Sequence, residues 1–342
     1  MRDSDPKQNR IGRIIKIEYV HGSSKEYQIR SLSASRRCRI QSDRFLDELQ
    51  PDDAQVMIIQ YAVTEIGSPA MKSALTTAIC LISCVMFWAQ AVAQPATKSD
   101  TTVRVALIQF DAVPEQVEHN LKQMERLARD AAARGARWIM FHEGSLCDYT
   151  GKLDTLAEAV PDGPSTQSLI KLSAELNVLI SFGLSEQDGP RFYITQVFVK
   201  DGRMIHRYRK TWLHLSKNDE GFRNEWARYD PGTGPELFEI DGIRASCFIC
   251  ADGNSFRCRE RIRELRPQIV FYPNNRRALP DFPAFGEYAQ QMAAPMLVTN
   301  RIGTSWVTPC SGGCVVFGPD GTVLAKANRD GQEEILIYDL NL

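Results

Sequence analysis

The chain has 342 residues, which is enough for one large domain or two ordinary ones. Apolar residues make up 43% of it and charged residues 24%, as in globular proteins. The formal net charge of −1 at pH 7 excludes a general electrostatic affinity for nucleic acid or an anionic membrane surface.

Residues 1–70 are polar and of mixed charge, with short candidate strands at 13–17 and 56–63. They contain too little apolar sequence for a core of their own. We therefore expect a disordered segment or a non-native upstream extension of the protein. A small accessory domain is the alternative.

Residues 71–93 have the three parts of a secretory signal peptide: a basic start at Met71-Lys72, an apolar core, and the Ala-x-Ala cleavage site Ala91-Val92-Ala93. This pattern predicts that Met71 is the true start and that the chain is exported, periplasmic or secreted, after cleavage near Ala93. Residues 94–101 are then a polar linker. The alternative is a membrane anchor formed by the uncharged residues 73–97.

From residue 102 onward, apolar strands alternate with amphipathic helices. A strand, a helix and a strand at 103–110, 115–134 and 138–141 form a βαβ unit, which predicts parallel pairing. Asp201-Gly202 and Asp241-Gly242 are hairpin turn signals. The other predicted strands are at 178–183, 192–199, 204–208, 236–240, 244–249, 269–272 and 296–299, with a closing meander at 314–317, 322–326 and 334–338; the other predicted helices are at 165–176, 256–265 and 284–292. These elements predict a layered α/β domain over residues 102–342.

Cys250 ends a predicted strand and precedes a tight turn and the helix at 256–265. A cysteine on a sharp strand-to-helix turn has an exposed sulfur, and the nearby helix N–H groups favour its thiolate. This placement indicates a nucleophile. The alternative is a buried core cysteine, which is a common location for a free thiol.

Glu143 and Lys210 also follow predicted apolar strands directly. Ligands collect at the carboxyl ends of strands in open α/β sheets, so the two side chains could meet Cys250 in one pocket. A glutamate can take the thiol proton and return it to a leaving amine, and a lysine can stabilise an oxyanion. Taken singly, Glu143 could be a helix cap or a solvated charge, and Lys210 part of a basic surface run.

Five segments together resemble the nitrilase superfamily of carbon–nitrogen hydrolases. They are residues 103–109, 136–143, 208–213, 250–256 and 312–324. The resemblance implies a single catalytic domain, a four-layer α-β-β-α sandwich, in which Glu143, Lys210 and Cys250 are the catalytic set. It further implies that Glu225 lies near the lysine and helps position the substrate, that neither a metal nor an organic cofactor is needed, and that the chain forms a homodimer.

Two positions depart from the family pattern. His142 stands where the family usually has a proline before the glutamate, and Arg257-Cys258 stands where Pro-Glu usually follows the phenylalanine. Neither change removes a reacting group.

The predicted activity is hydrolysis of a non-peptide C–N bond in a small amide or N-carbamoyl compound. Cys250 forms a thioester with the acyl group, while Lys210 and the backbone N–H of Ala251 stabilise the oxyanion. The alternatives are a nitrilase acting on a C≡N group, and an acyltransferase that passes the acyl group to an amine.

The other cysteines and histidines allow further interpretations. A four-thiolate zinc site would use Cys247, Cys250, Cys310 and Cys314, but the odd spacing of Cys247 and Cys250 at a strand end directs them to opposite faces. A cysteine protease would need a histidine partner, for which His206 and His214 are the candidates. Because export to an oxidising compartment favours disulfides, a Cys310–Cys314 bridge is a further hypothesis.

Overall fold

The computed structural model describes residues 15–20, 26–31, 101–215, 224–277, 281–328 and 331–342. The chain divides into two compact units, Met1–Pro95 and Ala96–Leu342. In the first unit, β1 (Ile15–Val20) pairs antiparallel with β2 (Glu26–Ser31), and β1 overlaps the strand expected at 13–17.

The signal peptide at 71–93, the candidate strand at 56–63 and most of the linker at 94–101 lie outside the described residues. Among the residues that the structure does describe, no helix has both the length and the apolar character of a membrane span. Export of the chain and its assembly into a homodimer stay predictions.

The second unit alternates strands and helices as the sequence predicts. Its elements are β3 (Thr102–Gln109), α1 (Val117–Ala133), β4 (Trp138–Met140), α2 (Leu153–Leu156), α3 (Pro164–Leu176), β5 (Leu179–Asp188), β6 (Arg191–Lys200), β7 (Arg203–Arg209), β8 (Phe238–Ile240), β9 (Ile243–Cys247), α4 (Phe256–Leu265), β10 (Ile269–Pro273), α5 (Phe282–Met292), β11 (Met296–Thr299), β12 (Ile302–Ser305), β13 (Thr308–Ser311), β14 (Val315–Phe317), β15 (Val323–Lys326) and β16 (Glu334–Asn341). Short 3-10 helices span Glu225–Ala227 and Cys250–Asn254.

The larger strands form two six-stranded sheets of similar construction. The first has the order β16-β3-β4-β5-β6-β7 and the second the order β15-β14-β11-β10-β9-β8. In the first sheet β3, β4 and β5 are parallel, and in the second β9, β10 and β11 are parallel. Antiparallel strands extend both sheets at their edges.

Strand β3 shows how the first sheet is packed on both faces. Val105 and Leu107 lie in the core that also contains side chains of the second sheet. The alternating residues Ala106 and Ile108 lie in a second core, with Met124 of α1. Because side chains of a strand point alternately to opposite faces, one face of this sheet packs on the other sheet and the opposite face on helices.

Strand β10 shows the same arrangement for the second sheet. The ring of Phe271 lies 5.9 Å, centroid to centroid, from that of Trp138 in β4. The ring of the adjacent Tyr272 lies 5.0 Å from that of Phe285 in α5. The domain is therefore a four-layer α-β-β-α sandwich, and the predicted fold class is confirmed.

The predicted closing meander is wrong in its last strand. β16 leaves β14 and β15 and pairs antiparallel with β3 in the first sheet, from Glu334 opposite Gln109 to Asn341 opposite Thr102. The apolar pattern predicts a strand there, but pairing with a strand so distant in sequence leaves no local signal. The hairpin of β12 and β13 was not predicted either.

Candidate active site

Glu143 follows β4 at the carboxyl edge of the first sheet, and its side chain is only 1% exposed. Gly183 in the neighbouring β5 makes room for it. A Cβ at Gly183 would lie 2.4 Å from the nitrogen of Gly144 and 2.9 Å from the carbonyl carbon of Glu143. The absence of a side chain at Gly183 therefore lets the turn that carries Glu143 lie directly against β5.

Lys210 follows β7 and is fully buried. Its Nζ donates hydrogen bonds to Oε1 of Glu143 at 2.7 Å and to Oε1 of Glu225 at 2.8 Å. Glu225 opens a 3-10 helix, and its Oε2 accepts a hydrogen bond from the backbone nitrogen of His214 at 2.7 Å. The structure thus brings together three of the predicted site residues as one buried ammonium between two carboxylates.

Cys250 opens the 3-10 helix Cys250–Asn254 with a φ of +43°, in the left-handed region that non-glycine residues rarely adopt. It is partly exposed, whereas Cys247 is fully buried, and β9 ends at Cys247 rather than at Cys250 as predicted. The hydroxyl of Tyr272 donates to the carbonyl oxygen of Cys250 at 2.7 Å. The strained turn and this hydrogen bond fix the position of the cysteine at the edge of the second sheet.

Asp252 connects the cysteine turn with the segment that carries the lysine. Its Oδ1 accepts hydrogen bonds from the backbone nitrogens of Thr211 and Trp212, just after Lys210. Its Oδ2 accepts from the backbone nitrogen of Ile249 at 2.9 Å and from the hydroxyl of Tyr208 at 2.8 Å. We call this set of contacts the Asp252 clasp. It joins the ends of β7 and β9, which belong to different sheets.

Burial and neighbouring charges shift the pKa values of Glu143 and Lys210. Burial raises the pKa of Glu143 and the charge of Glu225 raises it further, against the opposing effects of Lys210 and of a hydrogen bond from Cys250. Burial alone would lower the pKa of Lys210, but the charges of Glu143 and Glu225 outweigh it and raise this pKa well above its usual value. The lysine is therefore a permanent cation at physiological pH.

The thiol of Cys250 is neutral at rest. Burial and the negative charge of Glu143 raise its pKa to about 11, although Lys210 and Arg276 act in the opposite direction. The expectation that helix N–H groups favour a thiolate is therefore wrong, because burial of the sulfur has the largest effect and the carboxylate of Glu143 adds to it. Such a thiol becomes a nucleophile only when a base removes its proton.

Two further residues of this region were missed by the sequence analysis. Burial and the charges of Glu143, Glu225 and Cys250 raise the pKa of Tyr149 well above its usual value. The hydroxyl of Tyr149 is therefore close enough to the site to experience the charges of these three residues. Arg276, beyond β10, donates from Nη2 to the carbonyl oxygen of Cys250 at 3.2 Å. No sequence signal separates Arg276 from the adjacent arginine.

A buried ion pair supports the loop that contains Tyr149. Arg301 is fully buried, and its Nη1 lies 2.6 Å from Oδ2 of Asp148. Its Nη2 lies 3.0 Å from Oδ1 of Asp111, and Asn275 donates to Asp148 at 2.8 Å. These contacts tie the loop after Glu143 to the ends of β10 and β11.

The alternative roles for cysteines and histidines find little support in the geometry. No disulfide joins Cys310 and Cys314, and their sulfurs lie 3.7 Å from two different carbonyl oxygens, so the structure does not support the bridge hypothesis. The ring of His206 stacks on Phe238 at 4.2 Å, and burial lowers its pKa to about 4. Among the described residues, no group of three or more histidine, cysteine or acidic side chains could hold a metal ion.

Comparison with known proteins identifies the family. The profile of the carbon–nitrogen hydrolase family matches residues 104–342. The omega-amidase of Homo sapiens is 29% identical over 258 residues, covering 71% of this chain and 90% of that protein. The N-carbamoylputrescine amidase of Arabidopsis thaliana is 26% identical over 266 residues, covering 70% and 87%.

A solved structure shows the same fold. It is a variant of the amidase from Nesterenkonia sp. AN1 with the acetamide moiety of fluoroacetamide added covalently at the active-site cysteine. The two folds superpose with a TM-score of 0.62 at 22% identity, covering 71% of this chain and 92% of the amidase. The chain therefore belongs to the carbon–nitrogen hydrolase family of the nitrilase superfamily, and it is an enzyme of that family.

Proposed function

We propose that this enzyme hydrolyses the C–N bond of a small amide or N-carbamoyl compound through a thioester on Cys250. One observation carries the proposal: a fully buried ammonium, Lys210, bridges Glu143 and Glu225 beside a partly exposed cysteine. A base, a permanent cation and a thiol in one place are the groups that acyl transfer to sulfur requires. The omega-amidase and N-carbamoylputrescine amidase among the relatives support the substrate class.

Glu143 is the general base in the first step. Its Oε1 is held by Lys210, whereas its Oε2 accepts no hydrogen bond of normal geometry from the described residues and is available to the thiol of Cys250. The raised pKa of Glu143 makes it a stronger base than an ordinary carboxylate, which suits a thiol whose pKa is about 11. Glu143 takes the thiol proton while the sulfur forms a bond to the carbonyl carbon.

The carbonyl oxygen becomes an oxyanion in this step. Lys210 provides a fixed positive charge, and Ala251 provides a backbone N–H at the start of the 3-10 helix, where N–H groups have no partner within the helix. Donors that are already in place stabilise a developing charge without reorganisation.

Collapse of the tetrahedral intermediate breaks the C–N bond. Protonated Glu143 gives its proton to the departing nitrogen, which leaves as ammonia or an amine, and the acyl group remains on sulfur. Glu143 then takes a proton from water as the water oxygen attacks the thioester carbon. The acid is released, a carboxylic acid from an amide or carbamic acid from an N-carbamoyl compound, and the proton returns to the sulfur of Cys250.

Glu225 has a positioning role in this scheme. It accepts one hydrogen bond from Lys210 and one from the backbone of His214, so it fixes the position of the ammonium. Its negative charge also contributes to the raised pKa values of Glu143 and Lys210.

The direct test is a screen of small amides, N-carbamoyl compounds and nitriles for ammonia release, with Cys250→Ala as the blank. Wild-type protein is expected to release ammonia from amides or carbamoyl compounds, and Cys250→Ala is expected to release none. The matched control is Cys258→Ala. It removes a thiol that, unlike that of Cys250, belongs to a buried residue of the following helix, α4. Turnover that persists in a clean Cys250→Ala preparation contradicts the proposal.

The same screen separates the alternatives. Ammonia from nitriles but not from amides identifies a nitrilase. Hydroxamate formed in the presence of hydroxylamine is expected of any thioester on Cys250, whereas transfer of the acyl group to an ordinary alkyl amine in preference to water identifies an acyltransferase.

A further inference from the structure

Arg276 is a cation beside the nucleophile, and no carboxylate of the described residues pairs with it. It is half-buried. All of its hydrogen-bond acceptors in the described part of the chain are neutral: Oδ1 of Asn274 at 2.9 Å, the carbonyl oxygen of Cys250 at 3.2 Å and the hydroxyl of Tyr272 at 3.2 Å. A guanidinium that is partly removed from water favours a negatively charged partner.

Other arginines of the domain that are buried or nearly so do have such partners. Arg209 lies 2.6 Å from Glu186 and 2.8 Å from Asp188. Arg301 lies 2.6 Å from Asp148 and 3.0 Å from Asp111. In the described residues Arg276 therefore differs from them in lacking an ionic partner of its own.

The guanidinium of Arg276 is rigidly held at the site. It contacts both the backbone of Cys250 and the hydroxyl of Tyr272, which itself donates to the same carbonyl oxygen. It also lies over the ring of Phe285, 5.0 Å from the centroid. These three hydrogen bonds use the Nε proton and both Nη2 protons, so Nη1 keeps two N–H donors, and a guanidinium fixed in this way is pre-organised to bind a carboxylate through Nη1.

From these contacts we propose that Arg276 binds a carboxylate of the substrate, so that the preferred substrates are acidic amides. This inference rests on the proposed hydrolase function and specifies its substrate class. The bond that is cleaved and the proton transfers are unchanged. Arg276 acts as a specificity-determining residue that orients the scissile carbonyl toward Cys250.

The carboxylate could be on either part of the substrate. In the mono-amide of a dicarboxylic acid it belongs to the acyl part, and in an N-carbamoyl amino acid it belongs to the departing amine. Two pairs of compounds distinguish these sources. Succinamate is matched by the neutral butyramide, and N-carbamoyl-β-alanine by the neutral N-propylurea.

The first measurement is binding to the Cys250→Ala variant by calorimetry. An acidic compound is expected to bind roughly 10- to 100-fold more tightly than its neutral match, the range for a hydrogen bond to a charged group. The pair that shows the preference identifies the part of the substrate that bears the carboxylate. The preference is expected to disappear in Cys250→Ala/Arg276→Met and to persist in Cys250→Ala/Arg277→Met, which removes the adjacent, exposed arginine.

The second measurement is the ratio of kcat/KM for the acidic and the neutral member of each pair in the wild type, Arg276→Met and Arg277→Met. The ratio is expected to fall roughly 10- to 100-fold in Arg276→Met, mainly through KM of the acidic compound. A loss of kcat that is equal for acidic and neutral compounds contradicts the inference, because it means that the arginine acts on the cysteine.

Failure of this inference is distinguishable from failure of the proposed function. Neutral amides that are bound and hydrolysed as well as acidic ones overturn the role of Arg276 and leave the hydrolase intact. A folded enzyme that neither binds nor hydrolyses any of the four compounds overturns both.

Discussion

The two sheets of the sandwich are built alike but carry different chemistry at their carboxyl edges. Each has three parallel central strands extended by antiparallel ones. The first sheet supplies Glu143 and Lys210, which are buried and ion-paired. The second supplies Cys250, partly exposed on a strained turn, and Arg276, which has no carboxylate partner in the described residues.

Neither sheet by itself therefore contains a complete reaction centre. The charged groups lie at the edge of one sheet and the thiol at the edge of the other, so the proposed chemistry depends on how the sheets pack. The Asp252 clasp couples the two edges through hydrogen bonds to both. Substitutions in one sheet, in the other, or in the clasp between them are therefore expected to have different effects on activity.

The largest expected effect comes from removing the thiol of the second sheet. Cys250→Ala is expected to lower kcat by on the order of 10⁴-fold or more with little change in Tm, because the residue is partly exposed and supplies the proposed nucleophile. Cys247→Ala, which changes the fully buried last residue of β9 three residues earlier, is expected to lower stability by about 1–2 kcal/mol and to change kcat only a few-fold. Thermal unfolding and steady-state kinetics of both variants give the comparison. Similar kcat values for the two would contradict the role of Cys250.

The next effect separates the two carboxylates of the first sheet. Both Glu143→Gln and Glu225→Gln remove one of the two charges that pair with Lys210. Only Glu143→Gln also removes the proposed base, so we expect kcat to fall by about 10³-fold, against about 10- to 100-fold for Glu225→Gln. Steady-state kinetics with saturating amide provide the measurement. Equal losses would mean that the two carboxylates act only as counter-ions of the lysine.

A smaller effect is expected from loosening the connection between the sheets. Asp252→Asn keeps the shape of the side chain but replaces one acceptor oxygen by an NH2 group. This donor then faces a backbone N–H, which loses its hydrogen bond. We expect kcat to fall about 10-fold and the free energy of unfolding to fall by about 1–3 kcal/mol. Glu239→Gln, which changes an exposed carboxylate of β8 in the same sheet, is the control. Full activity of Asp252→Asn would show that the clasp does not position the site.

The smallest effect is the pH dependence of kcat/KM. The proposed base must be ionised, so activity is lost as pH falls through the pKa of Glu143. Burial and Glu225 raise that pKa above its ordinary value of 4.5, so the acidic limb is expected above pH 4.5, with a loss of about 10-fold per pH unit. Glu225→Gln removes a charge that raises this pKa and is expected to move the limb to lower pH. A limb that stays in place would show that another group titrates.

The sequence predicted much of this domain because its signals are local. The apolar periodicity of α1 and the short apolar run of β10 depend on neighbouring residues, and both elements lie where expected. The pairing of β16 with β3 could not be predicted from local signals, because the partner strand lies at the opposite end of the domain sequence.

The same limit applies to the site. Glu143, Lys210 and Cys250 each follow an apolar strand, but this position alone left other roles open, and the resemblance to the family singled them out as a set. The protonation state of Cys250 was predicted wrongly, because it depends on burial and on a carboxylate distant in sequence. Arg276 and Arg277 are equivalent in the sequence, and only the folded chain places one of them against Cys250.

The most direct test of the central claim is to find which cysteine reacts with 2-fluoroacetamide, a weak electrophile that also carries an amide. Peptide mapping after incubation of the native enzyme is expected to show a single modified cysteine, Cys250, because among the cysteines that the structure describes only this thiol lies beside a base and a permanent cation. An adduct on any other cysteine, or none on Cys250 in an enzyme that hydrolyses amides, would contradict the account.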